Sequence, residues 1–134
     1  MKVVVTGDGQ FTAAELVEAF EHYEVKPSVL LSAGETELEK AAEAWAKEND
    51  VQVDSRQPKW NDLTVEKCSP RDGKYGQYNA RAAFNRNDEL AEECDCVLVV
   101  NEDSRSSTSI VEAAEKLEKD VFNWPQIEGD DVPF

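Results

Sequence analysis

The stretch Met1 to Glu15, MKVVVTGDGQFTAAE, decides the fold. An apolar run, Val3-Val4-Val5, starts almost at once and stops at a polar, glycine-bearing turn, Thr6-Gly7-Asp8-Gly9. Thr12 and Glu15 then supply a T-x-x-E capping box, the local signature of a helix start. A short continuous apolar run, a tight turn and a capped helix are how an open parallel α/β sheet begins. In such sheets ligands bind outside the carboxyl ends of the strands, so this turn is also the first candidate site.

The rest of the chain repeats the theme. A first helix is expected over Ala13–Tyr23 with Leu16, Val17, Phe20 and Tyr23 inward. Val29-Leu30-Leu31 reads as a second strand, followed by the turn Ser32-Ala33-Gly34-Glu35. Thr36 and Glu39 form a second T-x-x-E box, and Leu38, Ala41, Ala42, Trp45 and Ala46 lie on one helical stripe. Val51 and Val53 mark a short third strand. Residues 55–78 show neither a helix nor a strand period, and a connection this long in a small domain is usually functional or mobile. A third helix is expected over Asn79–Glu93 with Ala83, Phe84, Leu90, Ala91 and Cys94 inward. Cys96-Val97-Leu98-Val99-Val100 is the strongest strand, and it ends in a polar turn from Asn101 to Ser107. Ile110, Val111, Ala113, Ala114 and Leu117 stripe a fourth helix, with Ser109 and Glu112 as a third capping pair. Val121-Phe122 gives the last strand, and Pro125–Phe134 reads as an acidic, irregular tail.

This alternation predicts one α/β domain over residues 1–124. Right-handed crossovers make it a three-layer Rossmann-like sandwich around a five-stranded parallel sheet, in the order 3-2-1-4-5. The switch point then lies between the first and fourth strands.

Charge sets the partners. The 134 residues carry 14 basic and 29 acidic side chains, a formal net charge of −15. Such a surface repels phosphate backbones and anionic membranes, which disfavours direct DNA binding. It suits a cytoplasm of molar salt, where the screening length falls to about 3 Å. The charge is uneven. Between Arg56 and Arg86, seven basic residues (Arg56, Lys59, Lys67, Arg71, Lys74, Arg81, Arg86) meet three acidic ones (Asp62, Glu66, Asp72), a net +4. The remainder, with 7 basic and 26 acidic residues, carries −19. The positive segment reads either as a counter-charge for an anionic ligand or as a loop pairing with the protein's own acidic surface. No apolar run approaches the roughly 20 residues of a membrane span, and no leader pattern precedes the first strand, so a cytoplasmic protein is expected. Cys68, Cys94 and Cys96 have neither disulfide-framework nor zinc-ligand spacing, so no metal is assigned.

The familiar cofactor signatures are absent. Gly7 and Gly9 begin a G-x-G-x-x-G, but Thr12 stands at the third glycine and Ser32 follows the second strand, which argues against a dinucleotide. There is no G-x-x-x-x-G-K-[ST] and no G-x-S-x-G elbow. What remains is a crevice rimmed by helix N-termini and hydroxyls: Thr6, Ser32, Thr36, Ser104, Ser106, Ser107, Thr108 and Ser109. Helix N-termini favour phosphate, although Ser and Thr are also simply the preferred helix caps. Trp60, Tyr75 and Tyr78, interleaved with cations, offer stacking surfaces for a base, while Trp60 alone reads better as an anchor for its loop.

Several of these segments, in order, resemble the SLOG superfamily, most closely its YspA-type (DUF2493) group. The similar segments are Thr6-Gly7-Asp8-Gly9-Gln10-Phe11-Thr12, Leu30-Leu31-Ser32-Ala33-Gly34, Ala42-Glu43-Ala44-Trp45-Ala46, Trp60, Arg86-Asn87-Asp88-Glu89-Leu90 and Asp103-Ser104-Arg105-Ser106-Ser107-Thr108. The resemblance spans about Lys2 to Trp124. Related members include the DNA-processing DprA proteins and the LOG phosphoribohydrolases. It implies a nucleotide-like small molecule as ligand, held by Thr6, Gly7, Gly9, Ser32, Gly34, Thr36, Trp60, Arg86, Asn87, Ser104, Arg105, Ser107 and Thr108. If the chain is an enzyme, the resemblance implies an N-glycosidic hydrolase with Arg86 and Glu112 as its catalytic pair. Ser109-Ile110-Val111-Glu112 keeps the spacing of that family's signature but lacks its glycines, which favours binding or sensing over turnover. An interaction protein that has lost the site is the third reading, and a homo-oligomer is compatible with all three.

Overall fold

The computed structural model describes residues 1–7, 12–34, 36–100 and 105–124, the last segment with side chains from 109 onward. Eleven elements follow in order: β1 (Lys2–Gly7), α1 (Ala13–His22), β2 (Val29–Ser32), α2 (Glu37–Glu48), β3 (Gln52–Ser55), β4 (Pro70–Gly73), β5 (Gly76–Asn79), α3 (Ala82–Glu93), β6 (Cys96–Val100), α4 (Arg105–Lys116) and β7 (Asp120–Trp124). Five strands form one all-parallel sheet in the order β3-β2-β1-β6-β7. This is the expected 3-2-1-4-5 order once two hairpin strands take the numbers between.

β1 is buried from Val3 to Gly7 because it is paired on both sides and covered on both faces. Side chains alternate across a strand, so the two faces collect separate cores. Val3 and Val5 join Leu16, Phe20, Leu38 and Ala42 of α1 and α2. Val4 joins Leu90, Ala91, Ile110 and Ala114 of α3 and α4. Two cores on opposite faces of one sheet make the three-layer sandwich.

The helix starts follow the sequence. Thr12 Oγ1 accepts from Glu15 N at 3.1 Å, and Thr36 with Glu39 forms a complete capping box. The helix ends are less regular in composition. α1, α2 and α4 are each followed by a left-handed non-glycine residue, Glu24 (φ 56°), Asp50 (φ 58°) and Glu118 (φ 59°). Each sits before a six-to-one backbone hydrogen bond: Val25 N to Phe20 O at 2.8 Å, Val51 N to Ala46 O at 2.8 Å and Lys119 N to Ala114 O at 2.9 Å. These are Schellman closures built with acidic residues where glycine is usual.

The structure corrects several expectations. The connection 55–78 contains an antiparallel hairpin, β4–β5, which forms a small second sheet. α3 begins at Ala82 rather than Asn79, because Asn79 is the last residue of β5. α4 begins at Arg105, so Ser109 and Glu112 lie inside the helix and do not cap it. Val17, Phe84 and Leu117, expected inward, are 37%, 41% and 45% exposed on the outer flanks of their helices. The tail 125–134 lies outside the described residues. No described helix is long and apolar enough to cross a membrane.

Candidate functional site

The strand order reverses between β1 and β6, and by the switch-point rule a ligand crevice is expected outside their carboxyl ends. Gly7 closes β1 with φ +140°, opposite Val100 in the ladder. A Cβ built on Gly7 would fall 1.8 Å from the Val100 carbonyl oxygen, so only glycine lets the two strand ends stay paired here.

Three of the hydroxyls expected to face a ligand, those of Thr6, Ser32 and Thr36, are already engaged. Thr6, fully buried, donates from Oγ1 to Glu39 Oε2 at 3.1 Å. The other oxygen of Glu39 accepts from Thr36 N at 3.0 Å, and Thr36 Oγ1 accepts from Glu39 N at 3.1 Å. One capping glutamate therefore ties the α2 start to the end of β1. Ser32 Oγ donates to Glu43 Oε2 at 2.9 Å and accepts from Gly34 N at 3.1 Å. Glu39 and Glu43, four residues apart on one helical face, place carboxylates beneath the β1–β2 end of the edge.

Next to them is a small polar convergence. Around Gly34 (φ +64°), Glu43 Oε2, Ser55 Oγ and Gln57 Nε2 would lie 3.0, 3.1 and 3.5 Å from an added Cβ. An acceptor, a hydroxyl and an amide from α2, β3 and the following loop thus point at one spot. Ser55, Gln57 and Glu43 were not expected at the site, and Glu39 was expected only as a helix-capping residue. The usable signal was the i, i+4 spacing of Glu39 and Glu43 behind a capping threonine.

Gln57 also links this spot to Arg86. It lines a cavity of about 60 Å³ together with Lys59, Asn79, Asn85 and Arg86. Arg86 and Asn87 are both buried, and Arg86 Nε donates to Asn87 Oδ1 at 2.8 Å. That volume is well below the roughly 300 Å³ at which small-molecule sites begin, so Arg86 is held beneath the loop and not in an open pocket.

Glu112 is elsewhere. It is exposed and faces a hollow of about 470 Å³ between α3 and α4, with Lys67, Arg81, Phe84 and Ser109. The two residues that would share hydrolytic chemistry line different hollows. Trp60, 42% exposed, stands edge-on to Tyr78 at 6.3 Å between ring centroids, so it anchors the hairpin rather than the core. Gly9 and Ser104 lie outside the described residues. Arg105, Ser107 and Thr108 lie in the first turn of α4, their side chains likewise outside it.

The positive segment divides. Arg56 is committed to acidic neighbours: it pairs with Asp54 at 2.9 Å, with Glu93, and with Glu89 at 3.7 Å. Its guanidinium holds the Asp54 and Glu93 carboxyls below their usual range through direct hydrogen bonds, and these partners raise its own pKa further. Lys67 reaches Asp88 at 3.9 Å. Lys59, Arg71, Lys74 and Arg81 form no ion pair among the described residues.

Cys94 and Cys96 are buried, and burial raises both thiols, Cys96 to about 11. Neither is a reactive thiolate near neutral pH. Among the described residues no group of three or more His, Cys, Asp or Glu could hold a metal ion. Comparison with models of known protein families finds no match, and comparison with curated proteins finds none either.

Proposed function

We propose that the chain binds a nucleotide or nucleotide-derived phosphorylated ligand at the carboxyl edge of its sheet, as a binding or sensing module. The observation that carries this reading is the reversal of strand order between β1 and β6, with Gly7 held against Val100 where a ligand would approach backbone. The resemblance to the SLOG superfamily supports it. Charge then orients the ligand. Glu39 and Glu43 oppose a phosphate on the β2 side, so the phosphate belongs at the β1–β6 end, nearer the start of α4. A sugar hydroxyl suits the convergence beside Gly34, where Glu43 accepts and Gln57 donates.

The experiment is calorimetric titration with a panel of nucleoside mono- and diphosphates, with mass spectrometry of co-purified ligand. Gly34→Ala places a methyl among Glu43, Ser55 and Gln57 and is expected to weaken binding at least tenfold. Nucleotides that bind wild type and Gly34→Ala equally would overturn the orientation, and a panel with no binder would overturn the reading.

The hydrolase reading is the weaker one, because Arg86 and Glu112 line separate hollows. Release of free base from a nucleoside monophosphate, lost in Glu112→Gln, would restore it. An interaction protein without a ligand predicts neither binding nor release.

A further inference from the structure

The β4–β5 hairpin carries the most exposed aromatic side chain among the described residues, and its geometry has a use separate from the sheet edge. Arg71 pairs with Tyr78 and Gly73 with Gly76 in its ladder. Side chains alternate along a strand, so Arg71, Gly73, Gly76 and Tyr78 share one face, and Asp72, Gln77 and Asn79 share the other. Asn79 is buried, and its Oδ1 accepts from Ser69 N and Arg81 N, both at 3.0 Å, which ties the two ends of the hairpin together. Around this buried end Arg71, Asp72 and Gln77 are exposed and Tyr78 is half-buried.

On the first face Tyr78 lies across Gly73, where an added Cβ would come within 2.9 Å of the ring. A Cβ on Gly76 would meet nothing within 4 Å, so the space beside Tyr78 is open. Trp60 stands edge-on to Tyr78, pinned by the hydrogen bond from Asn79 N to Trp60 O at 2.7 Å. Tyr75, at the hairpin turn, is 94% exposed, with the Lys74 ammonium 5.6 Å from its ring. These three rings and Lys74 border a hollow of about 370 Å³. Lys74 borders the hollow and Arg71 shares a face with Tyr78, while Asp72 belongs to the opposite face and Asp62, its carboxyl held low by hydrogen bonds from Thr64, stays charged.

We infer that this ledge stacks the bases of single-stranded nucleic acid. Rings with one bare face gain by stacking on any base, and neighbouring cations take the phosphates. The ledge is open, so it suits successive bases of a strand better than one enclosed mononucleotide. The net charge of −15 argues against a duplex laid across the whole surface. It acts weakly here, because screening confines charge to about 8 Å at physiological salt and Arg71 and Lys74 form no ion pair among the described residues. Two cations predict a shallow salt dependence, with log K falling by about 1.4 per decade of salt, at 0.7 per single-strand phosphate.

The test is fluorescence anisotropy of fluorescein-labelled thymidine and uridine 12-mers titrated with the full chain from 50 to 300 mM KCl, its fold checked by circular dichroism. Saturable binding is expected, with the slope above. Tyr75→Ala and Trp60→Ala should each weaken it about 5- to 150-fold, the range of one lost base–aromatic stack. Tyr75 is almost fully exposed, so the first variant should melt as wild type does. Gly34→Ala, which probes the sheet edge, should leave oligonucleotide binding unchanged, so failure here and failure of the nucleotide reading are told apart. No binding by the folded chain at 50 mM KCl overturns the proposal. So does equal affinity in Tyr75→Ala, equal competition by a duplex, or saturation by a proline-rich peptide where the oligonucleotides fail.

Discussion

Replacing Gly7 with alanine tests the joint on which the candidate crevice depends. The new Cβ would lie 1.8 Å from the Val100 carbonyl oxygen, whereas real Cβ contacts do not fall below 3.0 Å, so the strand ends must part by about 1.2 Å. Adjacent strands are about 4.8 Å apart, so a shift of that size breaks the pairing of Gly7 with Val100 and strains Thr6 with Val99. Two weakened backbone hydrogen bonds cost about 2 kcal/mol together, at about 1 kcal/mol each. Holding alanine at φ +140° adds about 1–2 kcal/mol, for a total of about 3–4 kcal/mol. Against a typical stability of about 5–15 kcal/mol this is a large loss without outright unfolding. Urea titration followed by circular dichroism reads it: at an m-value of about 2 kcal/mol/M, the midpoint should fall by about 1.5–2 M with m unchanged. Gly76→Ala is the control. Its φ is +115° but its Cβ would meet nothing within 4 Å, so it should cost only the conformational part, about 1–2 kcal/mol. Equal losses at the two positions, or less than about 1 kcal/mol at Gly7, would refute the argument that contact with Val100 dominates.

Arg56→Ala should cost about 1–2 kcal/mol at pH 7, discounted because the Asp54 and Glu93 carboxylates are more than a third exposed. Both carboxyls are held low in the fold, so their contribution is complete above an unfolded pKa near 4 and lost as pH falls through the depressed folded values. The gap between wild type and variant in urea titrations should therefore close below about pH 4. Glu24→Gly, Asp50→Gly and Glu118→Gly each relieve a left-handed residue, and calorimetric melts should show a gain of about 0.5–1 kcal/mol apiece. With Cys94 and Cys96 buried and their thiols raised, Ellman titration of native protein at pH 8 should find Cys68 alone, and all three thiols in denaturant. If the acidic surface is an adaptation to salt, the melting temperature should climb between 0.1 and 2 M KCl, and a flat response would remove that idea.

The sheet and its order were legible because β1, β2 and β6 are buried on both faces and so read as unbroken apolar runs. Thr12 and Thr36 announced their helices because caps act locally. The β4–β5 hairpin was invisible for the converse reason. Of Pro70-Arg71-Asp72-Gly73 and Gly76-Gln77-Tyr78-Asn79 only the polar Asn79 is fully buried, so no apolar period of two is written into them. Phe84 and Leu117 misled because a helical stripe does not reveal where the opposing layer ends. At the site, Thr6, Ser32 and Thr36 were legible as edge residues, but their partners were not. A serine facing a glutamate eleven residues away, as Ser32 faces Glu43, leaves no spacing rule to read.

The hairpin shares no strand with the main sheet, whose ladder passes from β3 to β6 without it. Arg56 clamps the start of this connection to α3, and Asn79 fastens its end, so the intervening stretch is bracketed by its own anchors. Such an inset is an exchangeable cassette. Its rings can be rewritten in evolution or by grafting, and its recognition properties changed, while the parallel sheet and the β1–β6 crevice keep their geometry.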